Sequence, residues 1–347
     1  MSGASYETIQ RCGAAEKEHL VAYSGIDNEN GTRLQKSLKS IHAQKTNDAY
    51  ANTIKQQKAG WAAEVKDTAS TNAENIIAGK NTRKIRHDDL PDTPANHPLF
   101  DHVEVDADGN VIAGSGTQMK FVGASQSDPT GEGDAARALS KLQSKKFEKY
   151  LDADATIKVP SDQYDKMIQE ADNRIEKLSK QLEKQKASGN TEAAQKTQKQ
   201  IENLQKIKKN LRKSYVSTAE AQFARNHPEL STAIDVAKVA HRAGVEAAKS
   251  GAVIGGSISI VRNAVALCKG DIDPEDAVIN VAKDTASSAG MAYATGATGA
   301  ALKGAMQNAK SETLRTLSKT NVPAIIVSVS VQTAKVMKRY FDGEIDG

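Results

Sequence analysis

The stretch TQMKFVG, residues 117–123, places polar side chains in a run that otherwise has strand character. Successive side chains of a β-strand point to opposite faces, so Gln118 and Lys120 share one face while Met119 and Phe121 share the other. A long amide and an amine beside an apolar core either protect a sheet edge or form part of a chemical site.

Acidic residues that could complete such a site lie upstream. Asp101 begins the β-prone run FDHVEV, and Glu64 belongs to a helical segment before it. Carboxylates are the oxygen ligands that Mg²⁺ or Mn²⁺ prefers, and the bound cation lowers the pKa of water and neutralises charge on a scissile phosphate. The amine of Lys120 would add positive charge beside the attacking water. These residues predict metal-dependent hydrolysis of a phosphodiester.

The sequence also predicts the elements that must position these residues. Residues 54–79 have apolar residues at helical spacing and end at a glycine, and residues 82–88 form a short strand. Residues 100–123 are typical of a β-hairpin, with an Asp-Gly-Asn turn and two further glycines that favour a bulge or a second turn. A helix at 134–151 and a strand at 155–162 follow.

This order of elements, with Asp at the head of the hairpin and Gln-x-Lys on its second arm, resembles a known family. It is similar to the PD-(D/E)XK nuclease superfamily, in the QxK form of Mrr-like restriction endonucleases. The resemblance covers about residues 50–160. It implies an α/β, restriction-endonuclease-like domain with Mg²⁺ or Mn²⁺ as cofactor and DNA as substrate.

The resemblance also implies a role for each residue of the site. It makes Asp101 the central metal ligand and Glu64 a direct or water-mediated ligand. It puts Gln118 in the place of the second acid and Lys120 in that of the lysine that orients or activates water. The backbone carbonyl of Met119 would be a further metal ligand.

A basic segment, RKIRHDD, follows the predicted helix. Its cationic side chains could hold phosphates beside the metal site, and we take Arg83, Lys84 and Arg86 as candidate nucleic-acid-binding residues. An exposed cluster of loop charges is the alternative.

Two other metal motifs are weaker. An HNH-type site would use His87, His97 and His102 with Asn96, but three prolines intervene where a compact hairpin and helix are needed. The run DADGN, residues 106–110, lacks the glycine and the final glutamate of a calcium loop and is typical of a turn.

Composition divides the chain into three predicted domains. Residues 1–160 form the α/β domain, residues 161–215 a coiled-coil helical hairpin, and residues 216–347 an all-α domain rich in Ala and Gly. Only 4% of residues are aromatic, which favours Ala-rich helices over a sandwich or barrel. The hairpin has apolar residues spaced by three and four, so it would serve as a DNA-gripping or partner-binding arm, or as a spacer that makes the protein a homo-oligomer.

The C-terminal region contains three stretches of small residues, at 251–268, 285–306 and 322–337. Small residues three or four apart let helices approach closely. Two interpretations remain open: tightly packed soluble helices, or helices that associate with a membrane. Arg262 and Lys303 interrupt the first two stretches, and the third is short for a membrane span.

These observations predict a Mg²⁺-dependent nuclease that hydrolyses DNA in bacterial defence or DNA processing, with a helical oligomerisation or membrane-associating region. The alternative is a non-enzymatic helical scaffold or membrane-active protein with a degenerate nuclease-like domain. The two cysteines, Cys12 and Cys268, and the lack of a secretory signal predict a cytoplasmic location, with membrane association as the second option.

Overall fold

A computed structural model of the chain describes residues 3–46, 48–91, 93, 97–122, 134–247, 288–320 and 323. Within these residues it contains eleven α-helices: α1 Gly3–Ser24, α2 Leu38–Ala43, α3 Ala51–Ile77, α4 Ala135–Leu142, α5 Lys145–Asp152, α6 Tyr164–Ala187, α7 Thr191–Asn210, α8 Thr218–Asn226, α9 Pro228–Ala247, α10 Ser288–Gln307 and α11 Glu312–Ser318. The strands are β1 Ile26–Asp27, β2 Thr32–Arg33, β3 Arg83–Arg86, β4 His102–Val105, β5 Thr117–Met119, β6 Thr156–Val159 and β7 Leu211–Lys213. Short 3₁₀ turns lie at Asp48–Tyr50 and His87–Asp89.

The chain forms two compact units. The helical unit combines Met1–Ala43, Ala69–Asn81 and Asn226–Gly347, and the sheet unit combines Gln44–Thr68 with Thr82–Arg225. The helix α3 therefore contributes its first part to the sheet unit and its last turns to the helical unit.

The sheet unit is organised around a five-stranded mixed sheet in the order β3-β4-β5-β6-β7. The first three strands are antiparallel, whereas β6 pairs parallel to β5 and β7 parallel to β6. Helices and turns between the parallel strands provide the crossovers that such pairing needs. The chain is mainly helical with one five-stranded mixed sheet, which is compatible with the predicted α/β region followed by helical regions.

The two faces of the sheet differ in chemistry. On β6, Ile157 and Val159 are fully buried in an apolar cluster with α4, α5, α6 and α7. Lys158 lies between them in sequence and points to the other face, where it meets Asp67 of α3. Met119, which is paired with Lys158 across the ladder, packs on that same side with Ala63 of α3.

The β4–β5 connection contains the predicted turn. The Asp106 carboxylate accepts hydrogen bonds from the backbone N–H groups of Asp108 and Asn110, at 3.0 and 2.8 Å. Gly109 has φ of +84° and Gly114 has φ of +75°, so a second turn follows the first, as the glycines predicted. This connection brings Thr117 back beside His102.

Helices α6 and α7 form the predicted hairpin. The Asn190 side chain caps α7 by accepting from the N–H of Ala193, and Gly189 takes φ of +71° in the loop. The apolar seam of α6 packs against α7 at Leu182, Ala194 and Ile201. Oligomerisation through this hairpin remains a prediction.

The helical unit packs α1, α9 and α10 together with the last turns of α3. Cys12 and Ala15 of α1 lie in one buried cluster with Ala243 of α9 and Ala300 of α10. Helix α10 covers most of the predicted stretch 285–306, whereas 251–268 and all of 322–337 except Pro323 lie outside the described residues.

Candidate functional site

Backbone hydrogen bonds fix Asp101 between two neighbouring strands. Its N–H donates to the carbonyl of Thr117 at 2.9 Å, and its carbonyl accepts from the N–H of His87 at 2.8 Å. Its carboxylate accepts a hydrogen bond from the backbone N–H of Met119 at 2.8 Å and another from the side-chain amide of Gln118. The structure therefore brings Asp101 and Gln118 into direct contact.

Lys120 follows β5 and remains anchored to the sheet, because its N–H donates to the carbonyl of Lys158 at 2.8 Å. Its ammonium group lies against aromatic rings of α5. The Nζ atom is 4.8 Å from the ring centroid of Tyr150 and 5.9 Å from that of Phe147. These distances are within the range of cation–π attraction.

Several charges act on Lys120. Burial lowers the pKa of its ammonium group, and the negative charges of Asp101 and Glu64 oppose that effect. The positive charges of Lys149 and Lys146 on α5 lower the pKa further. The two predicted carboxylates and the predicted lysine thus share one electrostatic environment.

Glu64 reaches this environment from α3. Its side chain is 18% exposed, and its Oε2 atom lies 4.0 Å from Nε of Arg86. Its backbone carbonyl lies 3.4 Å from the Nε2 atom of His102. Burial lowers the pKa of His102 well below its usual range, so the imidazole is neutral at physiological pH.

Two of the three candidate phosphate-binding residues are buried. Lys84 is 3% exposed and Arg86 is 2% exposed. Arg86 forms ion pairs with Asp88 and Asp89, at 3.1 and 3.6 Å. Because alternate residues of β3 point toward α3, these cations face the protein interior, a placement that does not favour a phosphate contact.

Lys84 belongs to a buried ionic cluster centred on Asp67. The Asp67 Oδ2 atom lies 2.6 Å from the Nζ atom of Lys84 and 2.9 Å from that of Lys158. Its Oδ1 atom accepts hydrogen bonds from the Ser214 hydroxyl and the Tyr215 N–H, at 2.8 and 3.0 Å. No sequence pattern indicates this cluster, because its members come from four separate segments of the chain.

The cluster shifts the titration of its members. Burial alone would raise the pKa of Asp67, but the ammonium groups of Lys84 and Lys158 lower it far below its usual range. Burial lowers the pKa of Lys84 to about 8, although the Asp67 carboxylate opposes this shift. Asp67 is therefore ionised at neutral pH and compensated by its partners.

The three histidines, which the structure describes, are not brought together as the alternative HNH-type site would require. The rings of His87 and His97 lie 4.3 Å apart, and His97 stacks on Phe100 at 5.2 Å. His102 is fully buried beneath α3, and Asn96 lies outside the described residues. The described part of the chain contains no group of three His, Cys, Asp or Glu residues that could hold a metal ion.

The candidate ligands are the carboxylates of Asp101 and Glu64, whose charges both act on Lys120, and the amide of Gln118, whose nitrogen donates to Asp101. Carboxylate and amide oxygens suit a hard cation such as Mg²⁺ better than a metal that prefers thiolate or imidazole ligands. Residues that the sequence did not single out complete the surroundings. They are Tyr150 and Lys149 of α5. The sequence predicted a single helix at residues 134–151, whereas the structure has two helices there, α4 and α5.

Comparison with known proteins gives one family match. The model of the Magnetosome MamC family matches residues 233–304, which run from within α9 to within α10 of the helical unit. No curated protein and no solved structure matches the chain.

The match corrects the family assignment made from the sequence. The matching family model is that of MamC, at residues 233–304. The assignment of residues 50–160 to the PD-(D/E)XK nuclease superfamily is therefore wrong. So is the classification of the chain as a nuclease by kinship. One Asp, one Gln and one Lys in a common sequence pattern carry too little information to establish kinship.

Among the described residues, no helix is both long and apolar enough to cross a bilayer.

Proposed function

We propose that the sheet unit hydrolyses phosphodiester bonds of DNA with a bound divalent cation, independently of any family kinship. The observation that carries the proposal is the Asp101 carboxylate, which is held by Gln118 and the Met119 N–H and whose charge acts on the partly buried ammonium group of Lys120. Oxygen ligands for the cation and an amine that stabilises the developing negative charge are the groups on which this chemistry relies.

The order of elements supports the proposal because it brings the candidate residues to one sheet from separate segments of the chain. Helix α3 precedes the antiparallel strands β3, β4 and β5, and helices α4 and α5 lead to the parallel strand β6. Glu64 lies in the middle of α3, Asp101 directly before β4 and Lys120 directly after β5, and the charges of Glu64 and Asp101 both act on Lys120. Fold alone does not determine activity, so the proposal depends on the site.

Each residue would have a defined task. Asp101 and Glu64, with the Gln118 amide oxygen or the Met119 carbonyl, would hold the cation. When bound, Mg²⁺ or Mn²⁺ would polarise the scissile phosphate and lower the pKa of water. Lys120 would hold its positive charge beside the attacking water and the charge that develops on phosphorus, in surroundings from which α5 excludes much of the solvent.

A cleavage assay tests this proposal. Wild-type protein with supercoiled plasmid and Mg²⁺ should produce nicked and linear DNA, and EDTA should stop the reaction. Asp101→Ala should remove cleavage, and Lys120→Ala should reduce its rate by about 10²–10³-fold, the usual effect of removing one charge-stabilising group.

The matched control is Asp108→Ala, which removes an exposed carboxylate from the β4–β5 connection and should cleave like wild type. Plasmid that stays intact with wild-type protein in both Mg²⁺ and Mn²⁺ would contradict the proposal. Equal rates for Asp101→Ala and Asp108→Ala would contradict it as well.

The family match supports a second, non-enzymatic function for the helical unit. The matched family is named for the magnetosome, an organelle, and we propose that residues 233–304 mediate association with a membrane surface. Helix α9 carries an exposed apolar side chain at Val245, which is 46% exposed. Burying a valine in an apolar environment is worth about 1.5–3 kcal/mol.

Flotation with phosphatidylcholine–phosphatidylglycerol vesicles tests this second proposal. Wild-type protein should rise with the vesicles, and Val245→Asp should lower the bound fraction roughly tenfold. Val111→Asp is the control, since Val111 is 53% exposed but lies in the β4–β5 connection. Protein that remains wholly in the bottom fraction would refute membrane association.

A further inference from the structure

We infer that the exposed face of α5 binds the phosphate backbone of a DNA strand and leads that strand to Asp101 and Lys120. The inference rests on the proposed function and names the surface through which the polymer is held. It transfers the phosphate-binding role from the segment 83–86, where Lys84 and Arg86 are buried, to Lys145, Lys146 and Lys149.

The lysines of α5 differ from those of the neighbouring helix in their partners. On α7, Lys206 and Lys209 pair with Asp152 and Asp154, and Lys208 pairs with Asp172. The three lysines of α5 are exposed, and no carboxylate of the described residues forms an ion pair with them. Within the described part of the chain they therefore carry positive charge outside ion pairs, although Glu148 is exposed on the same helix, and such charge attracts a polyanion by releasing its counterions.

This charge lies directly beside the candidate site. The Nζ atom of Lys120 lies 4.8 Å from the ring centroid of Tyr150, and the Nζ atom of Lys149 lies 5.0 Å from the same centroid. The two ammonium groups are thus no more than about 10 Å apart, or about three steps of the ~3.4 Å axial rise per phosphate of one strand. A strand lying on α5 would reach Lys120 within a few nucleotides.

Electrostatics agrees with this placement. Lys149 and Lys146 are close enough to lower the pKa of Lys120. The pKa of the Tyr150 phenol is raised mainly by burial and, to a smaller extent, by the negative charge of Asp101. Helix α5 and the candidate site are therefore parts of one local field. An incoming phosphate would reduce the repulsion among these lysines.

Salt-dependent binding tests the inference. Anisotropy of a labelled 20-base-pair DNA would be measured in EDTA, so that no metal-dependent cleavage occurs, between 50 and 200 mM KCl. The variant Lys146→Gln/Lys149→Gln should bind about tenfold more weakly at the lowest salt. Its slope of log affinity against log salt should fall by about two, one for each lost phosphate contact.

Two matched variants make the result specific. Lys184→Gln/Lys186→Gln removes the same charge from the exposed end of α6 and should keep the wild-type slope. Lys146→Arg/Lys149→Arg keeps the positive charge and should therefore have the wild-type salt slope. An unchanged slope in the α5 glutamine variant, an equal loss in the α6 variant, or an α5-dependent slope with RNA but not with DNA would overturn the inference.

A small diester separates this inference from the proposed function. Hydrolysis of bis(p-nitrophenyl) phosphate by wild-type protein in Mg²⁺ or Mn²⁺, lost in Asp101→Ala, reports on the site without a polymer. If that hydrolysis is absent while the salt slope still depends on α5, the proposed hydrolysis fails and the DNA-binding surface stands. If hydrolysis is present and the salt slope does not depend on the α5 lysines, the inferred DNA-binding surface is wrong and the proposed hydrolysis stands.

Discussion

At the scale of single residues, burial decides what a charged side chain does. Lys84 and Lys120 are both lysines of the sheet region, but Lys84 is enclosed with Asp67 whereas Lys120 lies against the rings of α5. Their sequence neighbourhoods give no sign of this difference, because each follows the alternation of a strand. Residue types suggested the candidate site residues, which remain a prediction, whereas the partner of each lysine could not be predicted.

Glu16 gives a prediction about pH. It is fully buried in α1, and neither carboxylate oxygen has a hydrogen-bond partner among the described residues. Burial raises its pKa well above the usual value of 4.5, so the folded protein holds this proton more tightly than the unfolded chain does. Stability should therefore fall as pH rises above about 4.5, where the unfolded chain releases the proton first.

Replacing Glu16 by Gln should remove that pH dependence. Near pH 8 the variant should be more stable than wild type by about 1–3 kcal/mol, the cost of an uncompensated buried polar group, and the gain should vanish near pH 4. Urea unfolding at pH 4, 6 and 8 measures this. Glu7→Gln, at an exposed position of the same helix, should change little, and a gain from Glu16→Gln that is equal at all three pH values would contradict the assignment.

At the scale of elements, periodic segments were predicted well. The hairpin of α6 and α7 and the helix α3 follow from apolar residues three and four apart, and Gly79, with φ of +67°, ends the predicted helix. The helix α1 was not identified, since its buried residues include the consecutive charges Glu16 to His19. The strand β7 has three residues directly after a Lys-rich helix, too few to show alternation.

Glycines at the contact of α1 and α10 give an element-scale prediction. A Cβ atom on Gly304 would lie 2.8 Å from the backbone carbonyl oxygen of Gly13 and 3.0 Å from the Cβ of Glu16. Gly304→Ala should therefore force the helices apart and destabilise the protein by roughly 1–3 kcal/mol.

Gly60 offers the opposite case within α3. An added Cβ there would meet no atom within 4 Å, and alanine is the better helix former. Gly60→Ala should stabilise the protein by roughly 0.5–1 kcal/mol. Thermal unfolding of the two variants side by side checks both signs. If Gly304→Ala were as stable as wild type, the helices would not approach each other as closely as described.

At the scale of the whole molecule, the compact units do not follow the order of the chain. The helical unit needs residues from the N-terminus, from the end of α3 and from the region after Arg225. The composition boundaries at 160 and 215 remain predictions about sequence regions, because composition does not reveal which distant segments pack together. The family assignment was wrong for a similar reason, because a short local motif was taken as evidence of membership in a family.

A truncated chain tests this organisation. Residues 1–225 lack α9 and α10, whose Ala243 and Ala300 cover Cys12 of α1. Cys12 should then react with a thiol reagent at least about ten times faster than in the full chain carrying Cys268→Ser, because a buried thiol reacts only when its surroundings open. Equal reaction rates in the two proteins would show that α1 does not depend on the C-terminal helices.

The buried cluster around Asp67 also selects one alignment of the sheet against others. Lys84 on β3 and Lys158 on β6 reach the same carboxylate only when both strands present their even-numbered residues to α3. A slip of one residue in β6 would bury Lys158 among apolar side chains and leave Ile157 or Val159 facing Asp67. Short strands that could pair in several ways are thereby given a single register, enforced by the free-energy cost of an unneutralised interior charge.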